Sequence, residues 1–203
     1  MGFPMVDTHI YRARVRWTGD RGTGTSGYRD YGRDHVIETA DHPVIAASSS
    51  TGYGMDPTRY NPEELVVAAL SSCHMLWYLH LCAVRGVVVR SYRDDAEATL
   101  SQGAGGSARL VRATLRPQVT LSSGAKETAL ALHHEAHAKC YVANSMNFPV
   151  TIEPTVSFVE PGPPPSTESA VLPPLSLALA RERSAPPFRR AKTHRGAAKA
   201  PPR

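Results

Sequence analysis

The sequence predicts a mixed α+β chain, on three observations. A long apolar helix is expected over residues 61–85, a second helix over 126–139, and alternating strand-like segments lie before, between and after them. Residues 8–17, "THIYRARVRW", alternate and predict a strand. "TGDRGTGTSGY" is a Gly/Thr loop or hairpin, and "HVIETADHPVIAAS" reads as two short strands around a turn at Asp41–Pro43. "SSSTGYGMDPTRY" is a loop leading into the first helix.

That helix has a strong start signal. Asn61 can accept a hydrogen bond from a free N–H of the first turn, and Pro62 fits where a missing N–H costs nothing. Glu64, three residues after Asn61, completes a reciprocal capping arrangement. Gly86 supplies the stop. The segment "NPEELVVAALSSCHMLWYLHLCA" is apolar nearly all round, which predicts a central helix covered on most sides.

Downstream, "VVVRSYRDDAEATL" predicts one strand, "QGAGGS" a turn, and "ARLVRATLRPQVTL" a strand pair or one bent strand. In "KETALALHHEAHAK" the inner positions are expected at Ala129, Leu130, Leu132, Ala136 and His137. A new helical turn can start near Cys140, and "TIEPTVSFVE" closes the domain as a strand.

Composition sets the domain plan and excludes several functions. Ten of the seventeen prolines lie in residues 161–203. Such a segment buries too little apolar surface to offset its ordering entropy, so residues 160–203 are expected to be a disordered basic tail after a domain of residues 1–159. From Glu160 onward there are eight Lys/Arg against three acids, leaving fifteen of each sign in the body. The net charge of +5 therefore belongs to the tail, and nucleic acid is not an expected partner of the body. No uninterrupted apolar run of membrane-spanning length is present, so no membrane span is expected. The N-terminus has no apolar core of a signal peptide, and a cytoplasmic location is expected. Three cysteines, an odd number, do not form a disulfide scaffold.

The candidate chemistry lies on the two helices. At about 100° per residue, Cys73, Trp77 and His80 share one face, whereas Cys82 lies roughly opposite Cys73. Cys82 therefore reads as an inert core thiol. Spacing alone leaves Cys73 open between a small buried hydrophobe and a reactive thiol. "LHHEAHAKC" places His133, His137 and Cys140 at metal-ligand spacing, but Ala138 stands where a zinc-protease helix needs histidine. A three-ligand site from His133, His137 and Cys140 stays open at this point.

"NPEELVVAALSSC" together with "HAKCYVANSMNFPV" resembles the OsmC/Ohr family of osmotically inducible and organic hydroperoxide resistance proteins, in a less-studied branch. The family helix begins Asn-Pro-Glu-x-Leu with a cysteine ten residues after the glutamate, an interval that Glu63 and Cys73 keep. A second cysteine follows some 65 to 70 residues later, and Cys140 lies 67 residues after Cys73. The resemblance covers about residues 8–159. It implies an antiparallel sheet packed on two long helices, in an intertwined homodimer with sites at the subunit interface.

The implied activity is thiol-dependent reduction of organic hydroperoxides to alcohols. Cys73 would be the attacking thiolate, Cys140 would condense with its sulfenic acid to a disulfide, and an external dithiol would reduce that disulfide. Glu63 and an arginine would form a charged pair at the site. The arginine departs from the family pattern, because the loop before the helix has Gly54 where some relatives carry it. Arg29 and Arg33 lie about where other relatives place it, Arg59 is a further option, and Arg33 is chosen here. Tyr141 follows Cys140 where many members have proline. No cofactor or metal is implied. The alternative is a non-catalytic dimer that binds a small apolar or metal ligand.

Overall fold

The computed structural model describes residues 8–40, 42–50 and 52–160. The expected tail and Asp41 of the expected turn lie outside these residues. The elements are strands β1 (Arg14–Trp17), β2 (His35–Glu38) and β3 (Ile45–Ala47), helix α1 (Pro62–Val84), then β4 (Val88–Asp94), β5 (Glu97–Gln102), β6 (Ala108–Leu115) and β7 (Pro117–Ser123). Helices α2 (Lys126–Lys139) and α3 (Tyr141–Asn144) and strands β8 (Val150–Ile152) and β9 (Thr155–Phe158) complete the fold.

Three three-stranded sheets are present, in the orders β1-β2-β3, β4-β7-β9 and β5-β6-β8. The α+β class holds, with one refinement. β6–β8 and β7–β9 are parallel pairs within otherwise antiparallel sheets. Three expected single strands also differ. Residues 8–13 precede β1 without pairing in a sheet. The segment 87–100 breaks at Asp95–Ala96, so that β4 and β5 join different sheets. The closing segment divides into β8 and β9 around Glu153–Pro154. Between β6 and β7 the chain turns at Arg116, whose N–H donates to the Asp94 side chain at 2.6 Å.

α1 has the expected ends. The Asn61 side chain accepts from the Glu64 N–H at 2.8 Å, and the Glu64 carboxylate accepts from the Asn61 N–H at 3.1 Å. At the other end Val87 N–H bonds Cys82 C=O at 2.9 Å and Gly86 N–H bonds Ala83 C=O at 3.3 Å. Gly86 has φ +69, so this left-handed closure depends on glycine.

α1 is not covered on most sides within one chain. Its buried residues are Leu70, His74, Tyr78, Leu81 and Cys82, while Leu76 and Val84 are 63% and 64% exposed. By length and mean hydropathy α1 could cross a membrane, which the sequence reading did not expect. Tyr78, Leu81 and Cys82 nevertheless pack into the chain's own core, against α2, β4, β7 and β9. The β1-β2-β3 sheet also leaves Val15, Trp17 and Ile45 exposed.

Two apolar clusters organise the body. One joins Tyr78, Leu81 and Cys82 of α1 to Val119, Leu121, Ala129, Leu132, Ala136 and Val156. The other joins Leu70 to Ala113, Leu115 and Cys140, with Cys73 and Trp77 packed against it. On α2, Ala129, Leu132 and Ala136 are buried as expected, Leu130 and His137 are half-buried, and His133 is buried instead.

Candidate active site

The two thiols expected to pair arrive from different helices. Cys73 lies on α1, anchored one turn and less from two fixed points. Leu70 is buried, and the Ser71 hydroxyl donates to Asp94 at 2.5 Å, tying α1 to the end of β4. Cys140 leaves α2 at its C-cap with φ −69 and ψ 109. The helical φ keeps its side chain on the buried face of His133 and Ala136, while the extended ψ turns the chain that follows away from the helix axis. It then caps α3, its Sγ accepting from the Ala143 N–H at 3.4 Å.

The result is that the two thiols share one apolar cluster. Cys140 is fully buried, Cys73 is half-buried, and the two pack there as neighbours close enough for Cys73 to act on the Cys140 thiol. Burial first, and the neighbouring Cys73 second among the raising influences, push the Cys140 thiol up to about 11. Cys140 is therefore held protonated at neutral pH, and the more accessible Cys73 is the one placed to meet a solute. Cys82 is buried in the other cluster, where desolvation raises its thiol despite the opposing influence of the neighbouring Tyr78. It is a core thiol, as expected from its angular position.

A rim surrounds the pair. Trp77 packs against both apolar clusters and meets His80 and Tyr141 edge-on, at centroid separations of 5.8 and 5.6 Å. The Lys139 ammonium lies 5.8 Å from the Trp77 ring centroid.

Glu63 and Arg33 are placed differently. Glu63 lines a cleft of about 1020 Å³ between α1 and strands β4–β6, with Val67, Ser72, Met75 and Tyr92 among its walls and neither Cys73 nor Cys140. Its Oε2 is buried without a hydrogen-bond partner among the described residues. Arg33 is held in a tyrosine cage far along the chain from α1. Its guanidinium carbon lies 4.8 and 4.5 Å from the Tyr28 and Tyr31 ring centroids, and it donates to Tyr31 Oη at 2.7 Å and to the Tyr53 carbonyl at 3.2 Å. None of these contacts is with Glu63 or a thiol. Arg59 pairs with Asp56 at 3.0 Å and Asp34 at 3.7 Å, and Arg29 lies over Tyr53. Within one chain, no candidate arginine makes a described contact with the cysteines.

The three-ligand metal site is not assembled. Among the described residues no cluster of three or more His, Cys, Asp or Glu could hold a metal ion. The reason is directional. His133 faces His74 on α1, with His74 Nε2 and His133 Nδ1 3.0 Å apart, while Cys140 packs in the cluster that holds Cys73.

The profile of the OsmC-like protein family matches residues 54–155 of this chain, a span containing Glu63, Cys73 and Cys140. The chain belongs to the OsmC-like family. An OsmC-like protein of unknown function from Vibrio cholerae is 32% identical, with a TM-score of 0.67 over 73% of this chain and 100% of the other. An organic hydroperoxide resistance protein OsmC from Legionella pneumophila matches at 18% identity and TM-score 0.52, over 75% of this chain and 99% of that one. An organic hydroperoxide resistance protein from Elizabethkingia anophelis matches at 18% identity and TM-score 0.54, over 76% and 99%. At that identity the last two show a shared OsmC-like fold only. No curated protein is a significant match.

The sequence reading missed His74 and His133 as a pair. Each alone reads as an ordinary helical histidine, and only the crossing of α1 with α2 brings residues 59 apart into contact.

Proposed function

We propose that this OsmC-like protein is a thiol-dependent peroxidase that reduces organic hydroperoxides. The observation that carries the reading is the packing of a half-buried Cys73 with a fully buried Cys140, held as thiol, in one apolar cluster. Cys73, as thiolate, attacks the terminal peroxide oxygen. The O–O bond breaks, the alkoxide leaves and takes a proton to become the alcohol, and Cys73 becomes a sulfenic acid. The Cys140 thiol then displaces that hydroxyl as water, giving the Cys73–Cys140 disulfide. An external dithiol returns two electrons and two protons by exchange.

The surroundings support an organic rather than a small polar peroxide. Leu70, Ala113, Leu115 and Trp77 pack about the thiols. Glu63, with one oxygen free, is the acid assigned to orient substrate. The reading includes a homodimer, supported by the exposed apolar residues of α1 and of the β1-β2-β3 sheet, and a reducing cytoplasmic setting. Arg33 enters only if another arrangement of the chain or a second copy delivers it, since the tyrosine cage occupies it here.

One observation favours a second reading, a non-catalytic binder of a small apolar molecule. The cleft beside Glu63 is large, and the thiols do not line it. Mass spectrometry after one equivalent of cumene hydroperoxide separates the two. The peroxidase is expected to lose two hydrogens and yield a Cys73–Cys140 cross-linked peptide. Unchanged mass with the intact peroxide recovered would support the binder.

A further inference from the structure

The seam between α1 and α2 contains buried polar groups that the thiol chemistry does not use. His74 and His133 are 0% and 1% exposed. Their rings are nearly coplanar in orientation, with planes 9° apart, and their inner nitrogens are 3.0 Å apart. One inner nitrogen donates and the other accepts, so the pair is bonded with both rings neutral. The outer nitrogens, His74 Nδ1 and His133 Nε2, are buried without partners among the described residues. The Tyr78 ring stacks on His133 at 3.8 Å between centroids, which fixes the plane of that imidazole.

The position of this bond along the helices matters. His74 follows Cys73 directly, and His133 lies two helical turns before Cys140. The rest of the α1–α2 seam is mainly apolar, and apolar contact is non-directional. It holds the helices together without fixing how far one slides along the other. A disulfide tolerates little sliding, because its bond length, torsion and Cα separation are narrow. A buried hydrogen bond is directional, and sliding would strand two further polar nitrogens beside those already unpaired.

We propose that His74 and His133 are positioning residues, whose mutual hydrogen bond sets the register of α1 against α2 and so the approach of the Cys73 and Cys140 sulfurs. This rests on the two-cysteine reading. The pair makes no described hydrogen bond to either sulfur. It acts by presenting them to each other, which raises their effective concentration.

The test is the equilibrium Cys73–S–S–Cys140 plus reduced dithiothreitol going to the protein dithiol plus oxidised dithiothreitol. No peroxide is involved, and both bond exchanges balance. The full chain is oxidised with diamide, equilibrated across dithiothreitol ratios, acid-quenched and quantified by mass. His133→Phe keeps a flat ring against Tyr78 and His74 but removes the inner bond. Its disulfide is expected to be tenfold or more less favoured, equivalent to about 30 mV for a two-electron couple. His133→Asn returns a polar partner near the same place and is expected to stay within threefold of the parent. His133→Gln, which moves that partner by one methylene, is expected to fall at least threefold and keeps the test independent of how well the Phe variant folds. A purely structural role would lower thermal stability in these variants without moving the equilibrium of the folded protein. The proposal is overturned if Phe or Gln equilibrates within twofold of the parent, or if Asn falls as far as Phe. Failure of the parent chain to close any disulfide would instead sink the two-cysteine reading, and the proposal with it. Closure by the parent with equal closure by the variants sinks the proposal alone.

Discussion

Cys73 of α1 and Cys140 at the end of α2, 67 positions apart in the chain, pack in one apolar cluster, one half-buried and the other sealed. Because the two differ in exposure, the reading gives them different roles, and the roles can be tested separately.

Cys73→Ser is expected to abolish turnover of tert-butyl hydroperoxide with a dithiol reductant. Cys140→Ser is expected to keep one turnover and stop there, leaving a sulfenic acid that a dimedone probe traps. Cys82→Ser should retain turnover within about twofold, since that thiol lies in the other core cluster. Equal loss in all three would remove the distinction.

Alkylation order follows from burial. With iodoacetamide at pH 8, Cys73 is expected to react first, and Cys140 and Cys82 at least tenfold more slowly. Both slower thiols are raised by desolvation, and the reagent needs thiolate. Peptide mapping over a time course measures this, and first labelling at Cys140 would contradict the site as described.

Acid should destabilise the folded chain through the α1–α2 histidines. Burial first, then His137, lowers His74 to about 4; burial first, then His74 and His134, lowers His133 to about 3. Tyr78 and Cys82 also border the seam. Both folded values lie below the unfolded one of about 6.5, so the unfolded chain binds more protons as pH falls below that point. Their contribution is therefore fully present above about pH 6.5 and is lost as pH falls through about 4 for His74 and about 3 for His133. Urea unfolding at pH 5 should give a stability lower than at pH 7 by on the order of 2–4 kcal/mol. His133→Phe should roughly halve that difference. A flat profile between these pH values in the parent would show that the pair titrates normally.

The helix cap is a local test. Asn61→Ala removes the bond to the Glu64 N–H and is expected to cost about 1 kcal/mol, measured by thermal or urea unfolding. The same change should leave the Cys73–Cys140 equilibrium unaltered, because the anchors nearest Cys73 are Leu70 and the Ser71–Asp94 bond.

Much of the local structure was legible because it is local. Asn61, Pro62, Glu64 and Gly86 write the ends of α1 within a few residues of chain, and short-range hydrogen bonds obey them. α2 was readable over Lys126–Lys139 for the same reason of helical continuity. The strand segments were harder. The breaks at Asp95–Ala96 and Glu153–Pro154 depend on which sheet each half joins, which no window of sequence contains.

The sequence by itself determined the element types, the caps, the charge balance of the body and the interval between Glu63, Cys73 and Cys140. Only the tertiary structure decided which side chains meet. It packed Cys140 with Cys73, faced His133 to His74 and so left the metal site unassembled, set Glu63 on a separate cleft, and kept Arg33 among tyrosines. The physical reason is that periodicity fixes a residue's angle on its own helix, whereas contact across helices depends on their crossing and register, which the packing of the whole chain sets.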